Sequence, residues 1–222
     1  MATERIIIVG AGGFGRELFQ WIKDILKYKY SDLLEYPEIH LLDDRPQLIK
    51  CSVIRKYFSG TIADFVFLKN DNLVVAIADP DVKEKVVNFL NLRTEGLSPT
   101  YMRIVHPTAI VAETAVIGVG TIICPNSLVS ANAEIGDFVH INVASLVGHD
   151  AVVGDFCTIS AQCDITGGAI LAGKVFLGSG ARILPGCSVA EGSRIGAGTV
   201  VSRSVKVKST VFHTGSKKIS LL

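Results

Sequence analysis

The chain has no excess of either charge: 22 basic residues face 21 acidic ones across 222 residues. No basic tract with interleaved aromatics occurs either, so nucleic acid and anionic lipid lack the electrostatic footprint they would need. Long apolar runs are missing as well. The longest, such as residues 6–9 and 73–78, fall far below the roughly 18 residues that span a bilayer. Residues 1–5 lead straight into a strand-like run rather than a signal peptide, so a cytoplasmic protein with no membrane segment is expected. Cysteine is sparse and odd in number. Cys51, Cys124, Cys157, Cys163 and Cys187 fit neither a zinc spacing nor a disulfide framework, so reduced thiols and no metal are expected. What is plentiful is apolar side chain, 49% of the total, which excludes a disordered protein and demands a buried core. The length allows one large domain or two small ones.

The apolar residues are ordered. Steps of six from Val111 through Ile117, Ile123 and Val129 to Val207 land seventeen times on an aliphatic residue. Positions drawn at the background frequency would do so about five times in a million. Two residues before each aliphatic runs a second column, from Ala109 to Val205, in which every residue is small or valine. Residues i and i+2 share one side of a strand, so each hexad presents one large and one small side chain to an interior. Gly118, Gly136, Gly148, Gly154, Gly178 and Gly196 directly follow an aliphatic and are expected to supply the permissive backbone of the corners. Three hexads then close a triangular coil, and stacked coils fill a shared axis. Cys157, Cys163 and Cys187 fall in the small column, where packing suffices to explain them.

The first hundred residues follow another grammar. Residues 6–9 read as a buried strand, Gly10-Ala11-Gly12-Gly13-Phe14-Gly15 as a loop, and residues 17–26 as an apolar-periodic helix. A second strand over residues 39–42 ends in Asp43-Asp44, and a third covers 73–78. A helix follows through Leu92, with Asp79 as N-cap and Pro80 at its first position. The whole predicts a small Rossmann-like α/β unit with a mainly parallel sheet. Residues 99–107 are expected to be a hinge, with domains over 1–104 and 105–222. The spacing of Gly10, Gly12 and Gly15 puts backbone amides and a helix N-terminus where a phosphate can sit. Asp43 lies too far on for a dinucleotide's ribose, and the unit holds only half a dinucleotide fold. A mononucleotide fits better, against the plainer reading of a tight strand-to-helix turn.

In the repeat Ser145-Leu146-Val147-Gly148-His149-Asp150, the turn after the inward valine carries a histidine beside a carboxylate. Acyl transfer from a thioester needs a base poised near neutrality, and histidine supplies one; Asp150 can orient the ring. A solvated corner histidine is the plainer alternative. His40, His106, His140 and His213 have no carboxylate partner in a repeat frame and read as structural.

The six-residue repeat resembles that of the hexapeptide-repeat transferases, and this resemblance implies a left-handed parallel β-helix. The glycine loop, Asp43-Asp44, Val105-His106-Pro107-Thr108-Ala109, Ile141-Asn142 and the run from Gly148 to Phe156 together resemble the sugar O- and N-acyltransferases of the bacillosamine and sialic acid type, over nearly the whole chain. The resemblance implies His149 as general base with Asp150 assisting, and Asn142 lining the acceptor site near the same corner. Ala11, Gly12, Gly13, Asp43 and Asp44 would hold the nucleotide of a nucleotide-linked sugar. Thr158, Gly167 and the neighbourhood of Ser179 would lie along an acetyl-CoA groove. It further implies a homotrimer with active sites between subunits and direct transfer to a sugar amine, with a backbone amide near Gly167 holding the oxyanion. Two positions depart from the pattern: Phe14 stands where several N-acetyltransferases carry histidine, and Lys217-Lys218 sit in an ending that matches only loosely. The leading expectation is an N-acetyltransferase for a nucleotide-linked amino sugar of surface glycans. Its competitors are a sialic acid O-acetyltransferase and a nucleotide-sugar-binding scaffold without catalysis. A dinucleotide-dependent oxidoreductase is disfavoured, because nothing after residue 100 looks like its substrate domain.

Overall fold

The computed structural model describes residues 5–29, 37–45, 47, 49 and 52–213; Cys51, Lys217 and Lys218 lie outside them. The N-terminal part is a five-stranded sheet with strands β1 (Arg5–Val9), β2 (Glu38–Leu42), β3 (Phe58–Gly60), β4 (Asn72–Val75) and β5 (Thr100–Tyr101). Their order is β3-β2-β1-β4-β5, and every neighbouring pair is parallel. Central β1 is covered on both sides, which is why Ile6 to Val9 run without alternation and are all buried. Helix α1 (Gly13–Lys29) begins inside the glycine run, four residues earlier than its apolar period suggests. A short α2 spans Ser52–Arg55. Helix α3 (Pro80–Arg93) starts as expected: the Asp79 carboxylate accepts from the amides of Asp81 and Val82, both at 3.1 Å, and proline takes the first position.

Residues 99–107 are not a hinge. The amides of Thr100 and Met102 bond Asp71 and Leu73 as the sheet's edge strand, and those of Ile104 and His106 bond Thr121 and Ile123 as the first rung of the next structure. The backbone here is hydrogen-bonded into both structures.

From Ile104 on, two-residue strands stack in three parallel ladders of seven, six and five strands, the three faces of a left-handed β-helix. The first face holds Ile122–Ile123, His140–Ile141 and Thr158–Ile159; the second Leu128–Val129, Leu146–Val147 and Asp164–Ile165; the third Glu134–Ile135, Val152–Val153 and Ile170–Leu171. The aliphatic column forms the core. The small column does more than fill space. Thr121, Ser127 and Ser145 donate to carbonyls fifteen residues on, at 2.8 to 3.0 Å, and Cys157 and Cys163 do so through sulfur. Hydroxyl and thiol are therefore satisfied inside the prism, as buried polar groups must be.

Two expectations from the repeat need correction. The left-handed residues are not the glycines after each aliphatic but those three places after it, such as Asn132 and Asp150 at φ +57°. Gly148 serves contact between coils instead: a Cβ there would lie 2.6 Å from the amide nitrogen of Gly167. The period also fails at its end. Val207 is 70% exposed, because Val205 bridges Val189 and Val211 pairs with Ile195. Ser204 accepts from the Ser188 amide sixteen residues back, where full coils repeat every eighteen. A shortened last turn thus drops Val207 out of register, while Ile104–Val105 joins the ladder one hexad before Val111.

The α/β unit sits on the first face and on the edge between the third and first. Phe138 and Phe156, at φ +54° and +60°, stack at 5.2 Å on that edge, and Tyr101 meets Phe138 edge-on. Left-handed phenylalanine is strained, and here the conformation turns both rings out into the apolar cluster of β1, β4 and α3. Ion pairs from Arg194 to Asp79, at 2.7 Å, and from Lys174 to Glu84, at 2.9 Å, flank the contact.

Candidate active site

His149 occupies the corner between the second and third faces. Its Nδ1 lies 2.7 Å from an Asp150 carboxylate oxygen, and the other oxygen accepts from Asn132 Nδ2 at 3.1 Å. Asn132 is the residue one coil above Asp150, so the stacking that builds the prism also builds this relay. The His149 hydrogen bond, followed by that from Asn132, holds the Asp150 carboxyl below its ordinary range. With Nδ1–H donated to a carboxylate, the neutral imidazole keeps its lone pair on Nε2. That nitrogen lies over Gly167 of the next coil, where a Cβ would stand 2.5 Å from it. Gly167 is therefore required by the ring, and Gly168 beyond it at φ +65° leaves open space. The corner presents an exposed, oriented base beside a bare backbone.

The glycine loop builds a separate cavity of about 560 Å³. The Gly10 amide donates to Leu42, and a Cβ on Gly15 would run into the Gly10 carbonyl, so the turn into α1 tolerates nothing larger. The Ala11 amide donates to Asp43 at 2.7 Å; the other Asp43 oxygen accepts from the Arg45 amide at 2.8 Å. Asp43 thus braces the loop, while one Asp44 oxygen accepts from the Ile62 amide at 3.1 Å. Gly12 and Gly13 line the cavity with nothing above them, at the start of a helix whose first turn carries no acid. A helix N-terminus there suits an anion. Arg45, which the sequence reading missed, lines the same cavity.

The remaining expected residues do not gather at His149. Asn142 sits on the edge between the first and second faces, not at the His149 corner, because one hexad is a whole side of the triangle and seven residues lead to the next edge. Ser179 lies on the same edge as Asn142. Thr158, expected beside a cofactor, is covered on the first face by α3, and its hydroxyl accepts from Lys83 Nζ at 3.0 Å. One chain therefore carries three separated groups: the glycine-loop cavity over the first face, Asn142 and Ser179 on one edge, and His149, Asp150 and Gly167 on the edge opposite the covered face. Among the described residues no group of three or more His, Cys, Asp or Glu side chains could hold a metal, and no helix is long and apolar enough to cross a membrane.

The whole is an α/β unit mounted on a β-helix that carries a histidine–carboxylate pair at one corner. Residues 5–90 match the family of PglD N-terminal domains. The fold is shared with the acetyltransferase domain of PglB from Neisseria gonorrhoeae FA1090, at 24% identity and TM-score 0.82 over 98% of this chain and 100% of that one. It is shared with a histidine-to-asparagine mutant of perosamine N-acetyltransferase from Caulobacter crescentus in complex with CoA and GDP-perosamine, at 22% identity and TM-score 0.79 over 96% and 95%. WeeI from Acinetobacter baumannii AYE is 26% identical with TM-score 0.78 over 94% of each chain. No curated protein matches in sequence.

Proposed function

We propose that the chain is an acetyl-CoA-dependent N-acetyltransferase for a nucleotide-linked amino sugar used in surface glycans, acting in the cytoplasm as a homotrimer. Residues 1–104 form the nucleotide-sugar-binding domain and residues 105–222 the acyltransferase domain. The observation that carries this reading is the His149 corner: Nδ1 is tied to Asp150 at 2.7 Å and Nε2 is exposed over Gly167. His149 Nε2 takes a proton from the sugar amine as the nitrogen attacks the thioester carbonyl. The tetrahedral oxyanion is held by a backbone amide near Gly167, and its collapse expels the CoA thiolate. Asp150 stabilises the imidazolium meanwhile. The glycine-loop amides take the nucleotide's phosphates and Asp44 its hydroxyl or base donors, Asp43 shaping the loop. Likeness to an enzyme crystallised with CoA and GDP-perosamine supports both substrates.

The separation of the three groups supports the trimer. A cavity over one face and a base on the opposite edge cannot share a substrate within one prism, so the base of one copy serves the cavity of a neighbour. Asn142 and Ser179 then belong to a surface that neighbouring copies approach. The outward residues Val116, Leu146 and Ile170 are exposed apolar side chains on the second and third faces, the kind of surface that side-by-side copies would cover.

The direct test is thiol release from acetyl-CoA against UDP-, GDP- and dTDP-linked 3- and 4-amino sugars. Release with one of them, lost in His149→Ala, is the expected result. Silence across the panel would transfer the reading to O-acetylation of sialic acids, and nucleotide binding without any turnover would make the chain a scaffold. Full activity in the variant would remove His149 from its role.

A further inference from the structure

We propose that Lys83 is a positioning residue that seats helix α3, and with it one wall of the glycine-loop cavity, on the β-helix. Lys83 is fully buried. Its Nζ reaches across the domain boundary to the Cys157 carbonyl at 3.1 Å and the Thr158 hydroxyl at 3.0 Å. The adjoining side of the same two helical turns, Asp79, Val82 and Val86, lines the cavity. Phe14 of α1 lines it from the other side and lies 4.9 Å from the His140 ring, on the rung directly paired with Thr158. Both walls of the cavity thus rest on consecutive rungs of one ladder, and its width follows the rung spacing.

Lys83 holds this place without a counter-ion. The acids of α3 nearest the β-helix are engaged elsewhere: Asp79 and Asp81 face Arg194, and Glu84 faces Lys174. The titratable groups around Lys83 are Asp79 one turn earlier, Cys157 and His140. Burial pushes the Cys157 thiol up to about 12 and holds His140 well below its ordinary range, so both are neutral. Burial likewise lowers Lys83 to about 7, against weaker opposing influence from Cys157 and Asp79. The hydrogen bonds agree, since a neutral amine has two hydrogens and finds two acceptors, whereas an ammonium has three. An unfolded lysine keeps its proton to about 10.5, so unfolding takes up a proton between about pH 7 and 10.5. Stability therefore rises with pH across that window, and below it the contribution of Lys83 no longer changes with pH.

Three measurements on the full chain test the assignment. Melting temperature should climb from pH 7 to 9.5 in the wild type, and that slope should be lost in Lys83→Met, which melts no lower at pH 7. Amide exchange in residues 80–86 should quicken at least tenfold in Thr158→Val, with β1 and β4 unchanged. Both variants should bind UDP or GDP several-fold more weakly, with KM for the acceptor raised and kcat kept. This last arm rests on the proposed function; a wild type that binds neither nucleotide counts against that reading alone, and the melting and exchange arms still decide Lys83. Unchanged exchange in Thr158→Val, or parallel melting profiles for Lys83→Met and wild type, would overturn the proposal.

Discussion

In the β-helix a residue's neighbour is found eighteen positions along the chain, as with Asn132 and Asp150. In the α/β unit Ile6 pairs with Ile39 on one side and Asn72 on the other, separations that no period announces. The first region repeats one local rule, and its failures are local too, as the shortened turn after Val201 shows. The second is assembled through helical crossovers, and its geometry depends on what each helix meets. Under the proposed function the difference divides the labour: the repeat supplies a base at a corner fixed by stacking, and the irregular unit supplies the cavity.

The largest effect expected is on the repeat's chemistry. His149→Ala should reduce kcat by about 10²–10⁴-fold, as loss of a general base does, with melting unchanged because the ring is exposed. Thiol release and calorimetry on the same sample check both halves. Gly167→Ala should come next: the methyl displaces the ring, and an off-line base costs on the order of 10²-fold, again without loss of stability. A melt lowered by several degrees would mean that Gly167 is structural instead.

Ile159→Ala, at a fully buried rung, should cost about 2–5 kcal/mol in denaturant unfolding. Val207→Ala, in period but out of register, should cost under about 0.5 kcal/mol. Equal costs would show that the period, not the register, governs packing. In the α/β unit, Asp79→Ala removes the α3 cap and the Arg194 ion pair and should cost about 1 kcal/mol.

The repeat's register, the α3 cap and the His149–Asp150 pair were legible because each rests on neighbours in sequence or on a fixed period. Asn132 was within reach of the same period, eighteen residues before Asp150, but only once three hexads per coil is taken as a contact rule. The place of Asn142 was misjudged because a hexad is a side of the triangle, not a turn of it. Lys83 was illegible: on α3 it falls in an amphipathic pattern as any surface lysine would, and only docking buries it. Phe138 and Phe156 were equally silent, since nothing local asks a phenylalanine to turn left-handed; the domain above them does.

Whether the base of one copy serves the cavity of another is decided by mixing two inactive variants. His149→Ala lacks the base; Gly13→Asp, with open space above Gly13, puts a carboxylate where phosphate would bind. Each alone should be inactive. Refolded together at equal amounts, random trimers should regain about one quarter of wild-type thiol release, because each site draws its two halves from two copies. A mixture no more active than its components would contradict the account.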